Sequence, residues 1–167
     1  MGIGLIKTEQ GKALIRTRVG DEAPQVFFNG AWVWPAIHKV EIMDITAKNI
    51  KIDRSGSDGL ICRDNTRADI KVTFFVRVNR TVEDIIKVAQ TFGCERASNP
   101  DHLQALFAAK FSEALKTAAK QLDFEDLHAQ RNKFRDVIIG EIGADLNGYC
   151  LEDCVIDFLE RTPELGT

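Results

Sequence analysis

No apolar run in the chain approaches the roughly 18 residues that a spanning helix needs, so none of its 167 residues is expected to cross a bilayer as a helix. The four cysteines, Cys62, Cys94, Cys150 and Cys154, contain no C-x-x-C. The three histidines, His38, His102 and His128, add no ligand spacing, so no metal site is expected and the thiols read as small core hydrophobes. With no secretory signal ahead of them, they are expected to stay reduced. G-x-S-x-G, H-E-x-x-H and a phosphate-cradling glycine loop are all missing. Glu152 and Asp153, adjacent in a strand-like run, face opposite ways and cannot address one substrate. These absences leave no catalytic residue and no cofactor to nominate. A strong charge of one sign is also lacking, since the net charge is −3. Residues 1–80 carry 13 Lys and Arg against 9 Asp and Glu, and residues 81–167 carry 9 against 16. The basic half is too weakly charged for nucleic acid but suits an element near anionic lipid. Repeats and low-complexity stretches are absent as well.

What is present begins with DGLICRDNTRADIKVTFFVRVN, Asp58 to Asn79. Two strand-like runs meet at Asp64-Asn65. Beyond the turn, Ile70, Val72, Phe74, Val76 and Val78 alternate with Lys71, Thr73, Phe75, Arg77 and Asn79, the period of a half-buried antiparallel strand. This predicts a central strand whose register forbids a one-residue slip. Phe74→Lys is then expected to unfold the domain and Thr73→Lys to be nearly silent.

Met1-Gly2-Ile3-Gly4-Leu5-Ile6 has the glycine of a myristoylation signal but lacks its Ser or Thr, and is discounted. QGKALIRTRVG reads as a strand with Ala13 and Ile15 opposite Lys12, Leu14 and Arg16, followed by a polar turn at Asp21-Glu22-Ala23-Pro24. In PQVFFNGAWVWP, both tryptophans and two phenylalanines fall within eight residues around Asn29-Gly30, a two-residue hairpin signal. Trp32 and Trp34 share one side of a strand. Three readings stand for them: core at the end of the sheet, a membrane interface that favours amphipathic indoles, or a subunit contact. Two more alternating runs, residues 37–46 and 48–55, complete the strand-rich part.

After Asn79 the period changes to 3.6. Thr81 is placed to cap a helix from Val82 to Gln90 that Gly93 stops, and Asn99-Pro100 opens a longer one to about Gln121. On that helix Leu103, Leu106, Phe107, Phe111, Ala114, Leu115 and Ala118 form an apolar stripe. Asp123 is read as capping a third helix, from Phe124 to about Leu146, ended by Asn147-Gly148. Tyr149 to Leu159 is rich in strand formers. The fold class is therefore α+β: a largely antiparallel sheet of about six strands with helices on one face. A strand-rich part (4–80) and a helical part closing with a final strand (81–162) are expected to form one compact unit.

QGKALIRTRVG, FNGAWVWPAIHKVEIMDIT, the Asp58–Asn79 hairpin, VEDIIKVAQTFGCERAS, the long helical run from Leu106 and YCLEDCVIDFLE, in that order, resemble the stomatin, prohibitin and flotillin (SPFH, or band seven) superfamily. Within it the likeness is greatest to bacterial flotillin-like inner-membrane proteins. The resemblance covers about Gln10 to Thr162. It implies a non-catalytic membrane scaffold that forms homo-oligomers, organises lipid and protein microdomains in the bacterial inner membrane and holds membrane-protein clients. It also implies an apolar anchor ahead of Gly4 and a coiled coil after Thr162, which would make this chain an excised, soluble head domain. The family's membrane-facing edge falls on Phe27, Phe28, Trp32, Val33, Trp34 and Pro35. The competing reading is a soluble adaptor that takes a peptide at an exposed sheet edge.

Overall fold

The strictly alternating stretch does become the strand on which its neighbours build. The computed structural model describes residues 4–20 and 23–163. Met1-Gly2-Ile3 and the Asp21-Glu22 half of the expected polar turn lie outside the described residues. Among the described residues there are nine strands: β1 (Gly4–Lys7), β2 (Lys12–Arg18), β3 (Gln25–Phe27), β4 (Gly30–Val33), β5 (His38–Asp44), β6 (Lys48–Arg54), β7 (Leu60–Ile61), β8 (Arg67–Val78) and β9 (Tyr149–Arg161). The helices are α1 (Val82–Phe92), α2 (Cys94–Ala97), α3 (Pro100–Ala119), α4 (Phe124–Ala129) and α5 (Arg131–Ile142). The fold is α+β, but the strands form three sheets where one of about six strands was expected. β1 pairs with β4, β2 lies between β3 and β5, and β8 pairs with β6, β7 and β9. Alternation tells which way a side chain points, not which strand lies beside it.

The chain divides into two units, each drawn from three separated segments rather than from consecutive halves. The first takes residues up to Lys48, Arg77–Leu103 and Asp145–Cys150. It holds the two smaller sheets, with α1 against β3 and α2 against β5. Leu14 is buried, as are Ala13 and Ile15 on the opposite face of the strand. The reason is that β2 is the middle strand, with Phe27 directly across from Leu14 on one side and Ile42 on the other. Thr81 caps α1 as expected, its hydroxyl accepting from the Asp84 N–H at 3.2 Å, and Gly93 ends the helix at φ +84°. The Asn99 side-chain oxygen accepts from the Asp101 N–H at 2.9 Å where α3 opens.

The second unit takes Asn49–Val76, Gln104–Ala144 and residues from Leu151 on. The β7–β8 turn forms at Asp64-Asn65, where Asn65 adopts φ +64° and the Cys62 N–H donates to the Thr66 carbonyl. Ile70, Val72, Phe74 and Val76 are all buried, as the alternation requires. The Phe74 ring lies 4.6 Å from that of Phe111 on α3, which stacks on Phe107 at 5.3 Å. Thr73 departs from expectation. It is only 7% exposed, and its hydroxyl donates to the Asp157 carboxylate at 2.5 Å.

The expected third helix is two helices, α4 and α5, separated at Gln130 (φ −121°, ψ 61°) and ended by Gly143 at φ +77° instead of Asn147-Gly148. No glycine or proline forces the break at Gln130, so packing sets it: Leu127 on α4 and Phe134 and Ile138 on α5 are each buried. Asp123 does not cap α4 through its side chain; its carboxylate accepts from the Arg63 guanidinium at 3.1 and 3.2 Å. Tyr149 to Leu159 is a strand, and it runs antiparallel to β8. The Asn79 N–H donates to the Gly148 carbonyl near one end, and the Thr162 N–H to the Arg67 carbonyl near the other.

Candidate functional site

In the β1–β4 ribbon Leu5 stands opposite Trp32, Ile6 opposite Ala31 and Lys7 opposite Gly30. Directly opposed residues share a face, so Leu5, Lys7 and Trp32 point one way and Ala31 and Val33 the other. Ala31 and Val33 are buried, whereas Leu5 is 50% and Trp32 60% exposed. Trp34, two residues on, is 49% exposed, and Pro35 is exposed beside it. The tryptophans therefore do not serve as core, and the membrane and subunit-contact readings remain.

The expected hairpin at Asn29-Gly30 does not form. β3 pairs with β2 and β4 with β1, and of the two central residues only the second, Gly30, has φ > 0, at +140°, which fits neither primed turn. The dipeptide is instead a corner at which the chain leaves the β2-centred sheet for the β1 ribbon. Gly30 is required there, since a Cβ would sit 2.6 Å from the Ile6 carbonyl oxygen.

Beyond β4 the chain folds into a closed turn. The Ile37 and His38 N–H groups both donate to the Trp34 carbonyl, at 2.9 and 2.8 Å, and the Trp34 N–H donates to Nδ1 of His38 at 2.9 Å. Desolvation, then the Arg16 and Arg18 guanidiniums, hold the His38 imidazole below its usual range, which favours the neutral form that can accept this bond. The Val19 N–H donates to the Ile37 carbonyl, which sets Val19, 75% exposed, beside the same turn.

The six edge residues expected from the resemblance thus separate. Trp32, Trp34 and Pro35 are exposed and close in sequence, and Val33 belongs to the interior. Phe27 and Phe28 are half-buried, each under a guanidinium: Arg16 over Phe27 at 4.8 Å and Arg80 over Phe28 at 5.0 Å. Arg16 also donates to the Trp32 carbonyl at 2.5 Å and to the Gln25 side chain. Leu5 and Val19 were missed as members of the exposed set. Leu5 lay in a stretch read only as a lipidation signal, and Val19 gains its place from a hydrogen bond between distant segments, which no local pattern encodes.

Over residues 6–163 the chain carrying this ribbon and sheet matches the family model of the SPFH domain / Band 7 family. The chain belongs to that family. Among similar proteins is the flotillin family inner membrane protein YqiK of Escherichia coli (strain K12), 33% identical over 153 residues that cover 90% of this chain and 27% of that protein. Another is the flotillin family inner membrane protein sll1021 of Synechocystis sp. (strain ATCC 27184 / PCC 6803 / Kazusa), 23% identical over 155 residues, 90% of this chain and 23% of that protein. The chain spans about a quarter of the length of these curated relatives.

Burial, then Asp64 and Asp123, push the Cys62 thiol up to about 11; burial, then the Glu41 carboxylate, push Cys94 up to about 12; burial, above all, pushes Cys154 up to about 12. Thiols so shifted are poor nucleophiles at neutral pH. Among the described residues no three His, Cys, Asp or Glu side chains converge on a metal-sized site, and no helix is long and apolar enough to cross a membrane. A concavity of about 570 Å³ on the second unit is lined by Lys51, Asp53, Lys71, Thr73 and Asp157, charges of both signs on one open sheet face.

Proposed function

We propose that this SPFH domain is a non-catalytic scaffold head that lies against a bacterial inner membrane, as part of a homo-oligomer that organises lipid and protein microdomains and holds membrane-protein clients. One observation carries the reading: Trp32, paired across the ribbon with Leu5 and followed by Trp34 and Pro35, presents large apolar side chains to solvent at one edge. Exposed indoles with a polar N–H are suited to the headgroup layer, where the ring is desolvated and the N–H stays bonded. The inner-membrane names of the relatives point the same way. Each subunit inserts little apolar area, so binding by one copy is weak and an assembly of copies multiplies it. The raised cysteine thiols fit a role without a nucleophile.

The two tryptophans are the only ones in the chain, so intrinsic emission reports this edge alone. On phosphatidylcholine vesicles with brominated acyl chains the emission is expected to shift to the blue and be quenched. Trp32→Ser with Trp34→Ser is expected to abolish co-sedimentation while leaving the fold intact, since both side chains are exposed. Unquenched emission, together with equal co-sedimentation of the double variant, would refute the membrane reading in favour of the soluble peptide adaptor.

A further inference from the structure

We propose that the Trp32 face selects anionic phospholipid, with Lys7 and Arg18 meeting the headgroup phosphates. This rests on the membrane reading above and adds a lipid class to it. Lys7 shares the outward face of the ribbon with Leu5 and Trp32, and the residue across from it is Gly30, so no side chain stands opposite the ammonium. Arg18 ends β2 in register with His38, next to Val19 and the Trp34 turn.

Among the described residues, three carboxylates of the neighbouring strands and loops are already engaged. Glu9 pairs with Lys12 at 3.4 Å, Glu41 with Lys39 at 3.3 Å and Asp44 with Lys48 at 2.8 Å. Arg16 is committed to neutral partners, the Trp32 carbonyl, the Gln25 amide and the Phe27 ring. Among the described residues Lys7 and Arg18 have no carboxylate partner, and both are exposed. An indole seated in the headgroup layer brings a cation on the same face to the depth of the phosphates, while a long cationic side chain keeps its head wet as its stem lies along apolar surface. A zwitterionic leaflet offers such cations no net attraction, whereas an anionic one does.

The test titrates the whole chain with vesicles of phosphatidylcholine alone and with vesicles holding roughly a third phosphatidylglycerol, reading partition from tryptophan emission. Phosphatidylglycerol is expected to tighten binding, Lys7→Gln and Arg18→Gln each to weaken that gain about fivefold, and about 0.5 M NaCl to erase it while leaving binding to phosphatidylcholine unchanged. Lys120→Gln, an exposed site in the second unit, controls for net charge and is expected to be silent. Equal partition onto the two vesicles overturns the proposal, as does a gain that survives Lys7→Gln with Arg18→Gln, or one that Lys120→Gln reduces as much. In each of those cases a spectral shift on phosphatidylcholine alone keeps the membrane reading standing. Absence of any shift on either vesicle overturns both.

Discussion

At the scale of single residues, His38 couples the aromatic edge to pH. Its Nδ1 accepts the Trp34 N–H only while unprotonated, and desolvation with Arg16 and Arg18 depresses its folded value below 6.5. A depressed folded value means that the unfolded chain binds the proton first. The contribution is therefore complete above pH 6.5 and is lost as pH falls through the folded value. Tryptophan emission is expected to hold steady above pH 6.5 and to change as pH falls below it in the wild type, and to stay flat throughout in His38→Gln. A flat wild-type profile would show that the turn does not need this bond. Thr73 gives the second residue-scale prediction. Its neighbour Phe74 packs on Phe111, so Phe74→Ala is expected to cost about 3–5 kcal/mol in urea unfolding. Thr73→Lys should also destabilise, by about 1–3 kcal/mol, because it places a charge at a buried site and removes the bond to Asp157. Wild-type stability of Thr73→Lys would restore the simple two-faced picture. That picture was legible in the sequence for Ile70, Val72, Phe74 and Val76, and it failed at Thr73 because the neighbour that covers it, β9, lies some 80 residues away.

At the scale of elements, local signals did well wherever the cause was local. Thr81 capping α1, Gly93 stopping it, Asn99 opening α3 and the Asn65 turn are each set by residues within a few positions. The Asn29-Gly30 signal misled because the same dipeptide serves a corner between sheets, and α2 went unseen because four residues give no period. Tertiary contacts also decide how the β6 edge ends. The Gln104 amide donates to the Lys51 carbonyl at 2.8 Å and accepts the Lys51 N–H at 3.1 Å, so one side chain from α3 occupies both backbone groups where another strand would pair. Gln104→Ala is expected to cost about 1–2 kcal/mol and to speed hydrogen exchange at the Lys51 amide. Unchanged exchange would mean that the amide does not guard this edge. The closed edge also counts against peptide capture at β6, the mode on which the adaptor reading depends.

At the scale of the whole molecule, family membership was legible in ordered phrases along the chain, and residues 6–163 match the SPFH domain / Band 7 profile. The division into three sheets and two interleaved units was not, because pairing partners such as β1 with β4 and β2 with β5 are chosen by segments tens of residues apart. The exposed apolar edge was half legible: Trp32 and Trp34 announced themselves by composition, whereas Leu5 and Val19 joined only through pairing. The Arg16 bond to the Trp32 carbonyl ties the ribbon to the middle strand of its neighbouring sheet. A sideways load on the indole, whatever its source, is thereby handed to β2 instead of bending a two-stranded tongue on its own.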